Sequence, residues 1–491
     1  MFKNRFYKAA VMVTMAMSVC SCNKFLNLRP QNGITSDQFW QTKEQLQGAV
    51  IGIYNGLLTG PAVNYFEWGE ARADYVTPGA GVSVDETNII STNILPTNGI
   101  VDWSAFYRII NLCNNVIDNA PGVLTRDKTL TSTVLNGYLA EAYTIRALMY
   151  FYLVRSFGDV PLTTKYLGSD NDLVQLAKSP KEVVEKQIIS DLNTAEPLAV
   201  NTYGNVASDK GRVIKTTVQT IQADVYLWVD DYADCIAACD KVIGSGKYGL
   251  VPGDADWFNN LYVVGNSVEG IFELQYDAQS LNPFYSFFAT TRPRYLAYIN
   301  LIDNYSFDEL DVNNVDIRSY DVAIHAADQS IYKYIARTPT SLRTSDASYA
   351  HWIFYRYADV LLMKAEACIN AGRGQDALDL INQIRTRAHA LPGTEQFPGV
   401  DDKVALTSYL VAERGREFAF EGKRWYDLLR NAKRDHFARL DLLTDAALIS
   451  VPPLNVQSAL SRLRDTNALY FPIPQLDINN DPNLVQNPFY K

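Results

Sequence analysis

Residues 284–298 hold the densest run of rings and cations in the chain: Phe284-Tyr285-x-Phe287-Phe288, then Arg292, Arg294, Tyr295 and Tyr298. A ring offers a flat apolar face, and phenol or guanidinium groups beside it fix hydrogen bonds in direction. Together they suit stacking on a sugar ring whose hydroxyls need partners. A second set, Tyr65, Phe66, Trp68 and Tyr75, precedes the loop that starts at Thr77. The candidate ligand contacts are therefore Trp68, Tyr75, Tyr285, Phe287, Phe288, Arg292, Arg294 and Tyr295. The competing reading packs these rings beneath the loops as core.

Signals for catalysis are weak. His325, His351, His389 and His436 are scattered, with no His-x-x-x-His or Glu-paired metal spacing. No Gly-x-Ser-x-Gly elbow occurs. Gly372-Arg-Gly374-Gln-Asp-Ala377 formally fits a dinucleotide fingerprint, but it follows a helical pattern rather than a strand, so it is predicted to be the turn of a helix pair. Asp477-x-Asn479-x-Asp481 begins like a calcium loop, yet Pro482 replaces the needed Gly and Pro488 the bidentate Glu. No catalytic residue, metal ligand or cofactor is assigned; the alternatives are a structural calcium elsewhere and, on count alone, a four-thiol metal site whose spacings match no zinc pattern. Cys113, Cys235, Cys239 and Cys368 fall in predicted helices. Cys235 and Cys239 share a face, but their Cβ bonds run parallel, which is poor disulfide geometry. All four are expected to be reduced core residues.

The elements that must position these groups are mostly helices. Thr42-x-x-Gln45 is a capping box ahead of Leu46, Val50, Tyr54 and Leu57. Leu139 through Phe157 repeats apolar residues at helical spacing until Gly158 stops it and Pro161 prevents continuation. Two segments look like copies of one helix-pair unit. Ala223 precedes Ala233, and Ala367 precedes Ala377, by the same interval, and small residues there would let paired helices approach closely. The two units are not adjacent in sequence, which excludes a regular solenoid. Pairs at about 37–58/102–119 and 138–157/180–199 would bring the total to four. Residues 59–101 and 245–350 are irregular and rich in Gly, Pro, Asn, Asp and Ser, and loops of that length are usually functional or disordered. The tail from 445 carries Pro452, Pro453, Pro472, Pro474, Pro482 and Pro488, so it is expected to wrap the surface without helices of any length.

Composition bounds the function. The 491 residues are 47% apolar and 20% charged, a globular composition. Net charge is −10, which argues against a nucleic-acid partner. The 30 Tyr exceed what a core needs and suit a recognition surface. Residues 1–21 read as a signal peptide: Lys3, Arg5 and Lys8, then an apolar stretch from Ala9 to Val19 too short to span a bilayer. Val19-Cys20-Ser21-Cys22 resembles a bacterial lipobox, with Cys22 as the acylated residue. Cleavage there takes the net charge from −10 to −13.

From the lipid cysteine onward the chain carries many short motifs in order: Phe39-Trp40, Gly52-Ile53-Tyr54-Asn55-Gly56, Asn114-Asn115, Glu141-Ala142 through Arg146-Ala147 and Gly158-Asp159-Val160-Pro161-Leu162. They continue through Gly211-Arg212, Glu269-Gly270-Ile271-Phe272-Glu273, Arg356-Tyr357-Ala358-Asp359, Glu413-Arg414, Arg424-Trp425-Tyr426-Asp427-Leu428 and Tyr470-Phe471-Pro472-Ile473-Pro474. In this order the motifs resemble the SusD/RagB outer-membrane lipoproteins of Bacteroidetes. Phe489 stands where the family usually has Gly. The resemblance implies a mainly α, SusD-like fold with four tetratricopeptide-like helix pairs. Residues 22–36 would be anchor and linker and 37–491 one domain, with its scaffold at about 37–58, 102–244 and 354–389. A loop-rich ligand-binding lobe would fill 59–101, 245–350 and 390–491. It further implies a non-catalytic lid on a SusC-like TonB-dependent outer-membrane transporter, facing the cell exterior. The cargo would be an oligo- or polysaccharide, with oligopeptide capture and a surface glycosidase as the rivals. Asn23-Lys24 lacks the acidic pair common in surface-export signals. Arg146, Arg356, Glu366 and Arg385 are expected to bridge scaffold helices, and Trp40, Trp103 and Trp425 to be core.

Overall fold

Eight helices form the scaffold that the sequence pattern predicts. A computed structural model describes residues 36–168, 175–289, 291–305, 316–319, 322–325, 327–338, 341–390 and 398–491. The signal peptide and Cys22 lie outside the described residues. Thr42 and Gln45 close the expected capping box at the head of α1 (Lys43–Thr59), which buries Leu46, Val50, Ile53 and Leu57. Two short helices follow, α2 (Ala62–Gly69) and α3 (Val84–Ile90). The partner of α1 is α4 (Ser104–Arg126). The pair is antiparallel: the Lys43 N–H donates to Asp127 Oδ2 at 2.9 Å at one end, and Gly60 meets Ala105 at the other.

α5 (Ser132–Phe157) is buried on nearly every face from Ala140 onward and ends at Gly158, whose φ of +75° only glycine adopts readily. Its partner α6 (Lys181–Leu198) is fixed by Arg146, which grips Asp191 through two bonds of 2.8 and 2.7 Å. α7 (Lys215–Trp228) and α8 (Tyr232–Gly244) form the third pair, α9 (Tyr357–Asn370) and α10 (Gly374–Arg387) the fourth. The turn of the fourth pair uses Gly372 at φ +73°, so the dinucleotide-like motif is a helix connection. The matched alanines behave unequally. Ala223, Ala367 and Ala377 are fully buried, but Ala233 is exposed, and α8 packs through Cys235, Ala238, Cys239 and Val242 instead. Sequence separation also does not keep the pairs apart: α8 packs on α9, α7 on α6 and α5 on α4, so the four pairs form one continuous stack. That arrangement corrects the inference from separation alone and is consistent with tetratricopeptide-like stacking.

Three antiparallel two-stranded ribbons order the loop regions: β1 (Val76–Pro78) with β3 (Tyr295–Ala297), β2 (Gly270–Leu274) with β6 (Trp352–Arg356), and β4 (Ala336–Thr338) with β5 (Ser341–Leu342). The described residues 398–491 are not loop-rich as expected. They hold α11 (Lys403–Phe418), α12 (Arg424–Phe437, interrupted at Arg434–His436), α13 (Asp441–Ser450), α14 (Val456–Leu463) and α15 (Gln475–Asn480). The tail prolines start helices rather than forbid them. Pro453 and Pro488 sit in the first turn of short 3-10 helices and Pro474 precedes α15, positions where no amide hydrogen is missed. Nor is the tail only surface, because Leu469, Phe471 and Ile473 are fully buried.

A buried ionic network locks scaffold to lobe. Arg356, fully buried at the head of α9, reaches Glu269, Glu417 and Glu421. Arg318 grips Asp316, Glu413 and Glu417, Arg385 reaches Glu413, and Arg387 reaches Glu269 and Glu417. Glu366 of α9 pairs with Arg430 of α12 at 2.7 Å. Burial alone would push these carboxyls up, yet the surrounding guanidiniums of Arg318, Arg416 and Arg385 hold Glu413 down to about 2. Trp40, Trp103 and Trp425 are core, as expected, and Cys113, Cys235, Cys239 and Cys368 are buried free thiols. No helix among the described residues is long and apolar enough to cross a membrane.

Candidate ligand-binding surface

The ring-and-guanidinium cluster sits on the β1–β3 ribbon, which joins two loop regions far apart in sequence. Val76 pairs with Ala297 and Pro78 with Tyr295. Beyond β1 the strands stay close enough for Gly79 N–H to donate to Arg294 O and Gly81 N–H to Pro293 O, both at 2.9 Å. A Cβ on either glycine would lie 2.2 Å from a backbone carbonyl oxygen of the facing strand. Glycine is required there by that approach.

Arg294 pins the ribbon. Its guanidinium pairs with Glu86 and, at 3.2 Å, with Glu67, and lies 4.1 Å from the Phe287 ring centre. Glu86 belongs to the Ser83 capping box of α3, and Glu67 to α2. The Tyr295 hydroxyl donates to Glu67 at 2.8 Å. Burial nevertheless dominates at Glu67 and pushes its pKa up to about 7, against the pull of Arg294 and Tyr295.

Five of the eight predicted contacts are interior, which corrects the expectation for them. Trp68 is fully buried, stacked on Phe106 with centroids 4.4 Å apart and planes at 13°, and its indole N–H donates to Ile100 O at 2.7 Å. Tyr75 is buried under the Arg424 guanidinium at 4.6 Å. Phe287, Phe288 and Tyr295 close around Phe66 with centroids 6.1, 5.2 and 5.4 Å away. These rings are the adhesive between ribbon and α2, so they have no face left for a ligand. Three remain accessible. Tyr285 is half-buried, Arg292 is exposed while bonding Ala80 O at 2.9 Å, and the Arg294 side chain is 33% exposed. Pattern reading passed over Val84 and Ile299, which leave 76% and 61% of their surface open beside the ribbon. The Ser83-x-x-Glu86 box carries the signal for Val84, since it sets that residue at the first, outward position of α3.

Chemically, this surface supplies guanidinium donors, a phenol and small apolar patches, which can orient hydroxyls around a ring. Among the described residues, no group of His, Cys, Asp and Glu could hold a metal ion.

Comparison with known proteins fits this architecture. Residues 255–490 match a family model described as the SusD family. Residues 24–227 match one described as starch-binding and associating with the outer membrane. A SusD-like protein of Formosa agariphila is 27% identical over 479 residues, covering 88% of this chain and 92% of the relative. The starch-binding protein SusD of Bacteroides thetaiotaomicron is 32% identical over 137 residues, 28% of this chain and 21% of that protein. Among solved structures, a SusD superfamily protein of Bacteroides fragilis superposes with a TM-score of 0.73 at 22% identity, covering 92% of this chain and all of that one. A laminarin-binding SusD-like protein does so with a TM-score of 0.69 at 20% identity, again covering 92% and 100%. With the same helical fold and family matches in both halves, the chain belongs to the SusD-like family of glycan-binding proteins.

Proposed function

We propose that the protein is a lipid-anchored outer-membrane receptor that captures an oligo- or polysaccharide and passes it to a SusC-like TonB-dependent transporter, without cleaving it. The observation that carries this reading is the pinned β1–β3 ribbon, which presents Tyr285, Arg292 and Arg294 on a chain whose family is glycan-binding. Arg294 is held by the buried side chains of Glu67 and Glu86, and backbone hydrogen bonds from Gly79 and Gly81 tie the strands together, which supports a preformed surface. Little binding free energy is then lost to ordering it. Weak capture suffices, because the receptor must release its cargo to the transporter. Cys22 supplies the anchor.

The test is electrophoresis of the lipid-free protein through native gels containing laminarin or starch, beside an Arg292→Ala, Tyr285→Ala variant. Retardation of the wild type by a glycan, relieved in the variant, supports the reading. Retardation equal in both would move the site away from the ribbon. Binding to peptides alone would replace the cargo.

A further inference from the structure

The C-terminal tail forms one wall of a cleft far from the ribbon in sequence. α15, the head of α4 and the stretch 161–168 after α5 surround an open volume of about 840 Å³, within the range of small-molecule sites. Trp103 and Tyr107 stand one turn apart at the head of α4. Their rings meet at 78° with centroids 5.5 Å apart, so they make adjoining walls instead of stacking on each other. Both are held from behind. Phe157 lies 4.9 Å from Trp103, and the Tyr107 hydroxyl donates to Pro161 O at 2.8 Å. Trp103 is buried, with 4% of its surface exposed, whereas Tyr107 is half-buried, and both line the volume.

Opposite these walls α15 and its end bring Asp477, Asn480 and Asp481 to the rim. Asp477 is half-buried against the Trp103 indole N–H, and that burial raises its pKa despite the N–H. Asp481 spends one carboxylate oxygen on the Asn483 N–H at 2.8 Å. The Asn480 amide is exposed and has no hydrogen-bond partner among the described residues. No lysine or arginine is among the described residues that line the cleft. Two carboxylates without a cation repel phosphates, uronates and sulfated sugars. A neutral pyranose fits both halves: its C–H face is apolar, and its hydroxyls donate to carboxylates and exchange bonds with an amide.

We propose that this cleft is a second carbohydrate subsite that takes a neutral hexose unit, with Tyr107 as its wall and Asp477, Asn480 and Asp481 as its hydroxyl partners. The inference rests on the reading of the chain as a glycan receptor. Two separated subsites on one chain hold a long glycan at two points, so a polymer binds more tightly than a short oligosaccharide without any new contact at the ribbon.

The test counts sites. Lipid-free wild type, an Asn480→Ala, Asp481→Ala variant and the Arg292→Ala, Tyr285→Ala variant are titrated calorimetrically with laminarin- and starch-derived oligosaccharides and with the parent polymers. Melting curves confirm that each variant is folded. The expected result is two sites per chain in the wild type and one in each variant, with the cleft variant losing on the order of tenfold or more in polymer affinity. A cleft variant that keeps two sites and full polymer affinity overturns the subsite alone and leaves the glycan reading standing. Loss of all binding in the ribbon variant overturns it too. Tight binding of an acidic glycan that the cleft variant abolishes overturns the neutral-sugar assignment. A wild type that binds no glycan in the panel overturns receptor and subsite together.

Discussion

Replacing Glu67 by glutamine should stabilise the protein, and increasingly so as pH rises. Glu67 is buried on α2, faced by Arg294 and Tyr295 from the ribbon and by Glu86 and Asp85 from α3. Burial outweighs the favourable contacts and lifts its pKa from 4.5 to about 7. Between those two values the folded chain holds a proton that the unfolded chain has released, so stability falls as pH climbs through that window. At about 1.4 kcal/mol per pH unit, the full loss is about 3 kcal/mol. The glutamine amide keeps an acceptor for the Tyr295 hydroxyl but carries no charge, and Arg294 still has Glu86. Glu70, lifted to about 8 mainly by burial, has the same sign. The wild-type slope therefore includes Glu70 and the other carboxyls that burial raises, and the difference between the two proteins isolates Glu67. Urea unfolding followed by circular dichroism, from about pH 4.5 to about pH 8, reads that difference directly. Near pH 4.5 the two should be nearly equal; near pH 8 E67Q should lead by about 3 kcal/mol. A difference that stays flat with pH refutes the reasoning. A difference that shifts toward the wild type at high pH would mean that Arg294 dominates and Glu67 is ionised throughout.

Arg356→Met leaves Glu269, Glu417 and Glu421 buried without their shared cation and should cost about 3–5 kcal/mol in urea unfolding. Arg356→Lys should recover only part of this, because one ammonium cannot reproduce the fork that spans three carboxylates. Trp68→Ala should cost about 3–5 kcal/mol of stability while the folded fraction keeps its glycan affinity, whereas Arg292→Ala should lower affinity with the melting curve unchanged. Cys22→Ser should abolish incorporation of labelled palmitate and shift the full chain from the membrane fraction to the soluble one, read by fractionation and immunoblot.

The scaffold was legible because its signals are local. The Thr42–Gln45 box, the Gly158 stop and the Gly372 turn each act within one helical turn of where they are written. The resemblance, rather than any local pattern, marks Arg146, Arg356, Glu366 and Arg385 as scaffold bridges: Arg146 does join two scaffold helices through Asp191, whereas Arg356, Glu366 and Arg385 tie the scaffold to the C-terminal helices through Glu417, Arg430 and Glu413. The tail misled because a proline that ends a helix and one that begins a helix look the same without register. The rings of the candidate site misled for a longer-range reason. Whether Phe287, Phe288 and Tyr295 face solvent depends on the pairing of Val76 with Ala297, and Trp68 and Tyr75 are covered by Phe106 and Arg424, long-range contacts that no local pattern encodes. Aromatic density marked a seam between loop regions, and only its rim, Tyr285, Arg292 and Arg294, is open. The cleft of Trp103 and Tyr107 was invisible for the same reason, since its walls come from three distant segments.

The central claim is non-catalytic glycan capture. Its most direct test is calorimetry of lipid-free protein beginning at Asn23, titrated with laminarin, starch-derived and other oligosaccharides and with mixed peptides, followed by chain-length analysis of the recovered ligand. The expected result is saturable heat from one glycan class with the ligand recovered at its original length. Heat from peptides alone, or a shortened oligosaccharide, would contradict the account.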